Sequence, residues 1–363
     1  MFVRERRYGF IIATLLTVAC SQNETEINTV PEEPVAISFS CTSIPTDDEE
    51  RMAPYLTRTT EPGYIEQLRY TGFGVFATTK KAPETLVPDF MYNQQVSYTY
   101  LADDADNGYW SYSPLKYWPK QTNNSGETVT NVTFCAYAPY TNPEDIVGAT
   151  TGITAISAND ETPYITYTRP TSPNDSIDLL WNCQSFTAPA SVNLSMRHAL
   201  ARLAVSIKLN SAPAANTKVL VRSVTLTGTL ASSAKLDLTD TDDTPTWTDH
   251  VTASTTITTD NIPSNTSWGI IDNGIRYVSG LPYNWQPAGL TNSDYKNAIS
   301  LDGHKAYIYL IPQSSLTLTC RVEYTIFTEG SDPVDVLTEN TDISVATPFD
   351  GNKTYYLKLK LTP

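Results

Sequence analysis

Asn131-Val-Thr-Phe-Cys-Ala-Tyr-Ala138, stopped by Pro139, is the stretch from which the fold is most easily read. Its β-branched, aromatic and small apolar residues suit a pleated surface, and the proline that follows cannot donate to a ladder. A short apolar run closed by a breaker reads as a strand. The second half of the chain holds a counterpart, Ala306-Tyr-Ile-Tyr-Leu-Ile-Pro312, which also ends in proline and faintly echoes an internal duplication.

Outward from this run the period of two recurs. Val35-Ala-Ile-Ser-Phe-Ser-Cys41 places Val35, Ile37, Phe39 and Cys41 on one face, the pattern of a half-buried strand. Gly72-Phe-Gly-Val-Phe-Ala77, Gln95–Tyr100, Tyr109–Tyr112, Tyr164–Tyr167 and Val192–Met196 read as further strands, and Asp103–Gly108 reads as a loop. Pro114-Leu-Lys-Tyr-Trp-Pro119 is a rigid corner bracketed by prolines. Around Arg197-His-Ala-Leu-Ala-Arg-Leu203 the alternation breaks, then resumes through Val205, Ile207 and Leu209. Strands continue at Val219–Leu226, Leu316–Phe327 and Thr354–Leu361, and no twelve-residue amphipathic helix is legible. Many short strands with regular turn signals predict an all-β protein of two β-sandwich domains, residues 35–196 and 197–363.

Composition narrows the function. The 363 residues carry 24 Lys and Arg against 39 Asp and Glu, a formal net charge of −15. Nucleic acid is excluded as a partner, because phosphate binding needs clustered cations. The three histidines, His198, His250 and His304, sit in no zinc motif, and no nucleophile elbow or phosphate loop occurs. The acidic stretches Asp103–Gly108 and Asp237–Asp243 complete no calcium loop. The expectation is a protein without catalytic activity, metal or cofactor. His198 reads as a hydrogen-bonded residue at the junction of the two halves. The six tryptophans read first as packing residues; Trp285, in Leu-Pro-Tyr-Asn-Trp-Gln-Pro287, is the one best placed for exposure to a ligand.

The start of the chain is an address. Arg4, Arg6 and Arg7 precede the apolar stretch Tyr8–Ala19, and Cys20 follows the small Ala19. This reads as a lipoprotein signal peptide over residues 1–19, with acylation of Cys20 and cleavage before it. Two acyl chains anchor firmly where one does so marginally. Residues 20–34 then form a polar tether. Cys41, Cys135, Cys183 and Cys320 remain; their wide, irregular spacing makes neither a disulfide scaffold nor a metal site, and buried free thiols are the expectation. Thr42–Thr60 holds the acidic run Asp47–Glu50 and two arginines, Arg51 and Arg58, in a composition that marks a solvated loop.

Several of these features occur together in an order that resembles the fimbrillin family of Gram-negative anaerobes, the lipoprotein-precursor subunits of type V pili. They are Cys20, Ile37-Ser-Phe-Ser40, Thr57-Arg58, Phe73-Gly-Val-Phe-Ala77, Lys116-Tyr-Trp-Pro119, Phe134-Cys-Ala-Tyr-Ala-Pro-Tyr140, Asp178-Leu-Leu180, His198-Ala-Leu-Ala-Arg-Leu203 and Thr354-Tyr-Tyr-Leu357. The resemblance implies two tandem transthyretin-like β-sandwich domains and a precursor anchored in the outer membrane at the cell surface. It also implies a trypsin-like maturation protease that cuts after Arg58, or else Arg51, to release the first strand. Other fimbrial subunits would then fill the vacated groove by donor-strand exchange. Tyr355–Leu361 reads as a core strand rather than a detachable donor, which leaves stalk, anchor, tip and accessory roles open. The alternative reading is a surface glycan-binding lipoprotein that never polymerises, with Trp285 meeting a host or bacterial surface glycan.

Overall fold

The computed structural model describes residues 34–43, 68–79, 85–101, 104–119, 131–171, 176–187, 189–209, 217–242, 244–258, 269–271, 276–278, 308–328, 337–345 and 349–361. In chain order the strands are β1 (Phe39–Ser43), β2 (Phe73–Thr78), β3 (Met91–Leu101), β4 (Asp104–Ser111), β5 (Asn131–Ala138), β6 (Gly152–Ile156), β7 (Tyr164–Thr168), β8 (Leu180–Thr187) and β9 (Val192–His198). They continue with β10 (Ala201–Leu209), β11 (Thr217–Asp237), β12 (Trp247–Thr258), β13 (Gly269–Ile271), β14 (Arg276–Val278), β15 (Ile308–Leu310), β16 (Leu316–Thr328), β17 (Leu337–Val345) and β18 (Thr354–Leu361). Helix among the described residues amounts to single turns at 68–71 and at Pro143–Ile146. The fold is all-β.

Three sheets organise the strands. The first has the order β1-β9-β8-β5-β2-β3-β4. It curls so that its far edge, β4, returns beside β1. The second centres on β10, flanked by β14 and β15 and paired in parallel with β18. The third runs β17-β16-β11-β7-β6, with β12 and β13 also paired to the long β11. Hairpin β6–β7, from the first half of the sequence, therefore extends a sheet of the second half through the register Ser233↔Thr168 to Asp237↔Tyr164.

At the centre of the first sheet both faces of β2 and β5 are buried, which explains why these two strands read as near-continuous apolar runs. Val132, Phe134, Ala136 and Ala138 of β5 join Phe73, Val75, Val96, Leu194 and Met196 in the core enclosed by the curl. Cys135 and Tyr137, one residue out of phase, join Phe76, Trp181, Ile165, Tyr167, Ala234, Leu236 and Trp247 in a second core. The period of two sends alternate side chains to opposite faces, so one strand serves two cores. The strand ends at Ala138, before the cis peptide to Pro139.

Two boundaries differ from the sequence reading. Asp104–Gly108 belongs to β4 rather than to a loop, because Leu101↔Asp104 and Tyr100↔Gly108 extend the ladder to β3 and override the weak strand preference of Asp and Asn. The first strand starts at Phe39 rather than Val35. Residues 35–37 bond to a different neighbour, and Val35 is 48% exposed instead of sharing the inward face.

Candidate assembly groove

The first strand closes the curled sheet on itself. On one side β1 runs parallel to β9 in the register Phe39↔Val192 to Ser43↔Met196, and the Val192 amide donates to the Ser38 carbonyl at 2.9 Å. On the other side the residues just before β1 meet the proline-bracketed corner. Ile37 N–H donates to Lys116 O and Trp118 N–H donates to Val35 O, both at 2.9 Å, around the antiparallel bridge Ala36↔Tyr117. Backbone hydrogen bonds thus hold this segment from both flanks, at the seam between β9 and the stretch following β4.

Its inward side chains are Ile37, Phe39 and Cys41, at 2%, 6% and 8% exposure. Phe39 is the hub. Its ring lies edge-to-face against Phe73 (6.1 Å, 82°), Tyr112 (5.3 Å, 70°) and Phe134 (5.7 Å, 87°). The Tyr112 hydroxyl donates to Ile37 O at 3.1 Å and accepts from the Lys116 amide at 3.3 Å, so one phenol ties the corner to the strand. Trp118 packs edge-to-face on Phe134 at 5.9 Å, and its indole N–H donates to Ala190 O at 3.1 Å, just ahead of β9. Burying Ile37 and Phe39 stabilises the seam by about 1.5–3 kcal/mol each.

The outward face is polar and matched. Ser38 Oγ donates to Ser191 Oγ at 3.3 Å, and Ser40 Oγ donates to Asn193 Oδ1. Most of the pairing of β9 in the first sheet is with β1. Among the described residues β9 pairs with β8 only through Leu180↔His198 and Trp181↔Arg197. Along 192–196 the side chain of buried Asn182 substitutes for a ladder on that flank, donating to Ser195 O at 2.9 Å.

Cys20, Arg51, Arg58 and Trp285 lie outside the described residues. Cys135 and Cys183 face each other across β5 and β8, Cα–Cα 4.0 Å, and are disulfide-bonded. This corrects the expectation of four free thiols. The two residues are 48 apart in sequence but directly opposite in register, and only the sheet order brings them together. Cys41 and Cys320 are free and buried, and burial raises both thiols above their ordinary value, Cys320 to about 12.

Other candidates from the sequence have structural roles. His198 is buried, with Nδ1 2.8 Å from Asp178 Oδ1. Asp237 Oδ1 accepts from the Thr239 amide and hydroxyl, and Asp240 Oδ1 from the Asp242 amide, so the second acidic stretch satisfies its own turns. Among the described residues no three His, Cys, Asp or Glu side chains converge as a metal site. Trp118, Trp181 and Trp247 are buried in the cores. Sequence reading missed Tyr112 and the clamp at 116–118 as partners of the first strand. The available signal was the pair of prolines that fixes Leu115–Trp118 as a rigid corner.

Three solved structures align with the chain over nearly its whole length. A fimbrial protein from Bacteroides vulgatus superposes with a TM-score of 0.57 at 24% identity, over 90% of this chain and 95% of that one. A candidate cell adhesion protein from Bacteroides uniformis gives 0.44 at 14% identity over 91% and 94%. A similar one from Bacteroides ovatus gives 0.41 at 12% identity over 90% and 92%. No curated protein matches in sequence. A family model described as fimbrillin-like matches residues 57–363, well over half of the sequence. The chain belongs to the fimbrillin-like family.

Proposed function

We propose that the protein is a structural or adhesive subunit of a type V fimbria, without catalytic activity, and that replacement of its first strand drives assembly. In this reading it is exported as a lipoprotein, anchored at the outer membrane through Cys20, and cut after Arg58 or Arg51 by a trypsin-like protease. The segment Val35–Ser43 then leaves, and an extended strand of another fimbrial subunit takes its place. One observation carries the reading: this segment is bonded on both flanks at the seam of a curled sheet, with its apolar side chains inserted in the core. Its departure would expose an apolar groove and unpaired backbone groups, which an incoming strand can satisfy. The two transthyretin-like domains, 35–196 and 197–363, belong to the same proposal, with hairpin β6–β7 of the first completing a sheet of the second.

The test is Arg51→Ala combined with Arg58→Ala. The double variant should stay folded, membrane-bound and monomeric. Entry into SDS-resistant high-molecular-weight ladders as efficiently as wild type would exclude cleavage here as the trigger. A surface glycan-binding role without polymerisation draws its support from Tyr109, 55% exposed on the edge strand β4.

A further inference from the structure

Strand replacement, taken as the mode of assembly, leaves open what sequence the incoming strand must have. Resting on that mode, we infer that the groove selects an extended segment of another subunit that carries an aromatic ring where Phe39 now lies. That segment also has an aliphatic residue two positions before the ring, a small residue two positions after it, and short hydroxyl side chains between them.

The central requirement comes from the walls. Phe73, Tyr112 and Phe134 surround the ring of Phe39 on three sides, each edge-to-face at 5.3–6.1 Å. Edge-to-face contact requires a flat quadrupole at the centre, which an aliphatic side chain of similar size lacks. The Tyr112 hydroxyl also bonds the Lys116 amide and carbonyl, contacts that belong to the corner and not to the resident strand, so this wall cannot swing to fit another shape without breaking them. The flanking requirements come from the neighbours in register. Cys41 is buried, and only a small side chain stands at its position. On the outer face Ser38 and Ser40 meet Ser191 and Asn193 with hydroxyls one carbon from the backbone. A longer side chain at either position gives up these surface hydrogen bonds.

The present bonds are also spaced for one direction of the strand. Parallel pairing spaces its slanted hydrogen bonds evenly, whereas antiparallel pairing alternates close and wide pairs. The groove now presents Val192–Met196 to a parallel strand on one flank and residues 116–118 to an antiparallel bridge on the other. A segment entering in the opposite sense would have to replace both sets of bonds with ones of the other spacing.

The experiment uses the mature chain cut within residues 44–60, by trypsin or at an introduced protease site, and labelled nine-residue peptides. The parent peptide has the sequence of Val35–Ser43; the variants carry Phe39→Leu, Phe39→Ala and Ser40→Lys. Native mass spectrometry reads displacement of the resident strand. The parent peptide should exchange in, with the Phe39→Leu peptide about tenfold weaker or worse and the Phe39→Ala peptide weaker still. The Ser40→Lys peptide should also enter less well than the parent. Equal entry of the Phe39→Leu peptide would overturn the aromatic selectivity while leaving strand replacement standing. Failure of every peptide, the parent included, would remove strand replacement itself and the selectivity with it.

Discussion

Cys41 sits at the inner face of the first strand, buried, and its thiol is raised far above the usual range by desolvation alone. Only the thiolate reacts with alkylating reagents, so the intact protein should shield it. Cys320 lies in β16 at 0% exposure and has no reason to emerge when the first strand leaves. After cleavage in the 44–60 segment, alkylation at Cys41 should therefore accelerate about tenfold or more while Cys320 stays protected, as peptide-mapping mass spectrometry would read. Equal protection of Cys41 before and after cutting would mean that the strand stays in place. Burial of these two cysteines was legible from their apolar, alternating contexts. The pairing of Cys135 with Cys183 was not, because it depends on β5 and β8 being sheet neighbours although another hairpin lies between them in the chain.

At the scale of the element, the alternation of Ile37, Phe39 and Cys41 identified a half-buried strand but said nothing about its neighbours. Periodicity specifies a face, and here two flanks are shared between β9 and the proline-bracketed corner, which puts Val35 outside. The corner itself was legible as rigid, yet its role as a clamp was not, since it comes from a tyrosine hydroxyl and an indole N–H reaching across space. Trp118→Ala should test that role. It removes the bond to Ala190 O and the packing on Phe134, at a cost of about 3–5 kcal/mol for a large-to-small change in a core. Hydrogen exchange should quicken first at the amides of Ile37 and Val192, which face the two flanks of the seam. Uniform acceleration across the molecule would instead make Trp118 an ordinary core residue.

For the whole molecule, the all-β class was readable from composition and period, whereas the crossing hairpin β6–β7 was not. Ile165 and Tyr167 look in sequence like any other half-buried strand, and nothing local says that their partner is β11, far along the chain. Because they complete a core shared with Tyr137, Trp181 and Leu236, that core should respond as one body to alkali. Tyr137 and Tyr167 are buried, and desolvation raises both phenols above their ordinary value. A raised folded pKa gives a contribution fully present below the unfolded value of about 10 and lost as pH climbs past it. The urea midpoint should thus hold steady between about pH 7 and 9 and drop between about pH 10 and 11.5. A flat midpoint across that second interval would contradict the burial of both rings.

The ladders of β1 on β9 and β18 on β10 have a mechanical consequence. β9 ends at His198 and β10 begins at Ala201, so the chain from 192 to 209 acts as a covalent spine with a parallel strand on each part. Tension applied at the start of β1 and the end of β18 pulls each strand at the end opposite to the one where its partner joins the spine. Each ladder is then loaded in shear, with its hydrogen bonds sharing the force at once rather than parting one by one as in unzipping. Any strand that replaces β1 in the same direction inherits this geometry, so a filament joined this way would place its non-covalent joints in the orientation that best resists flow.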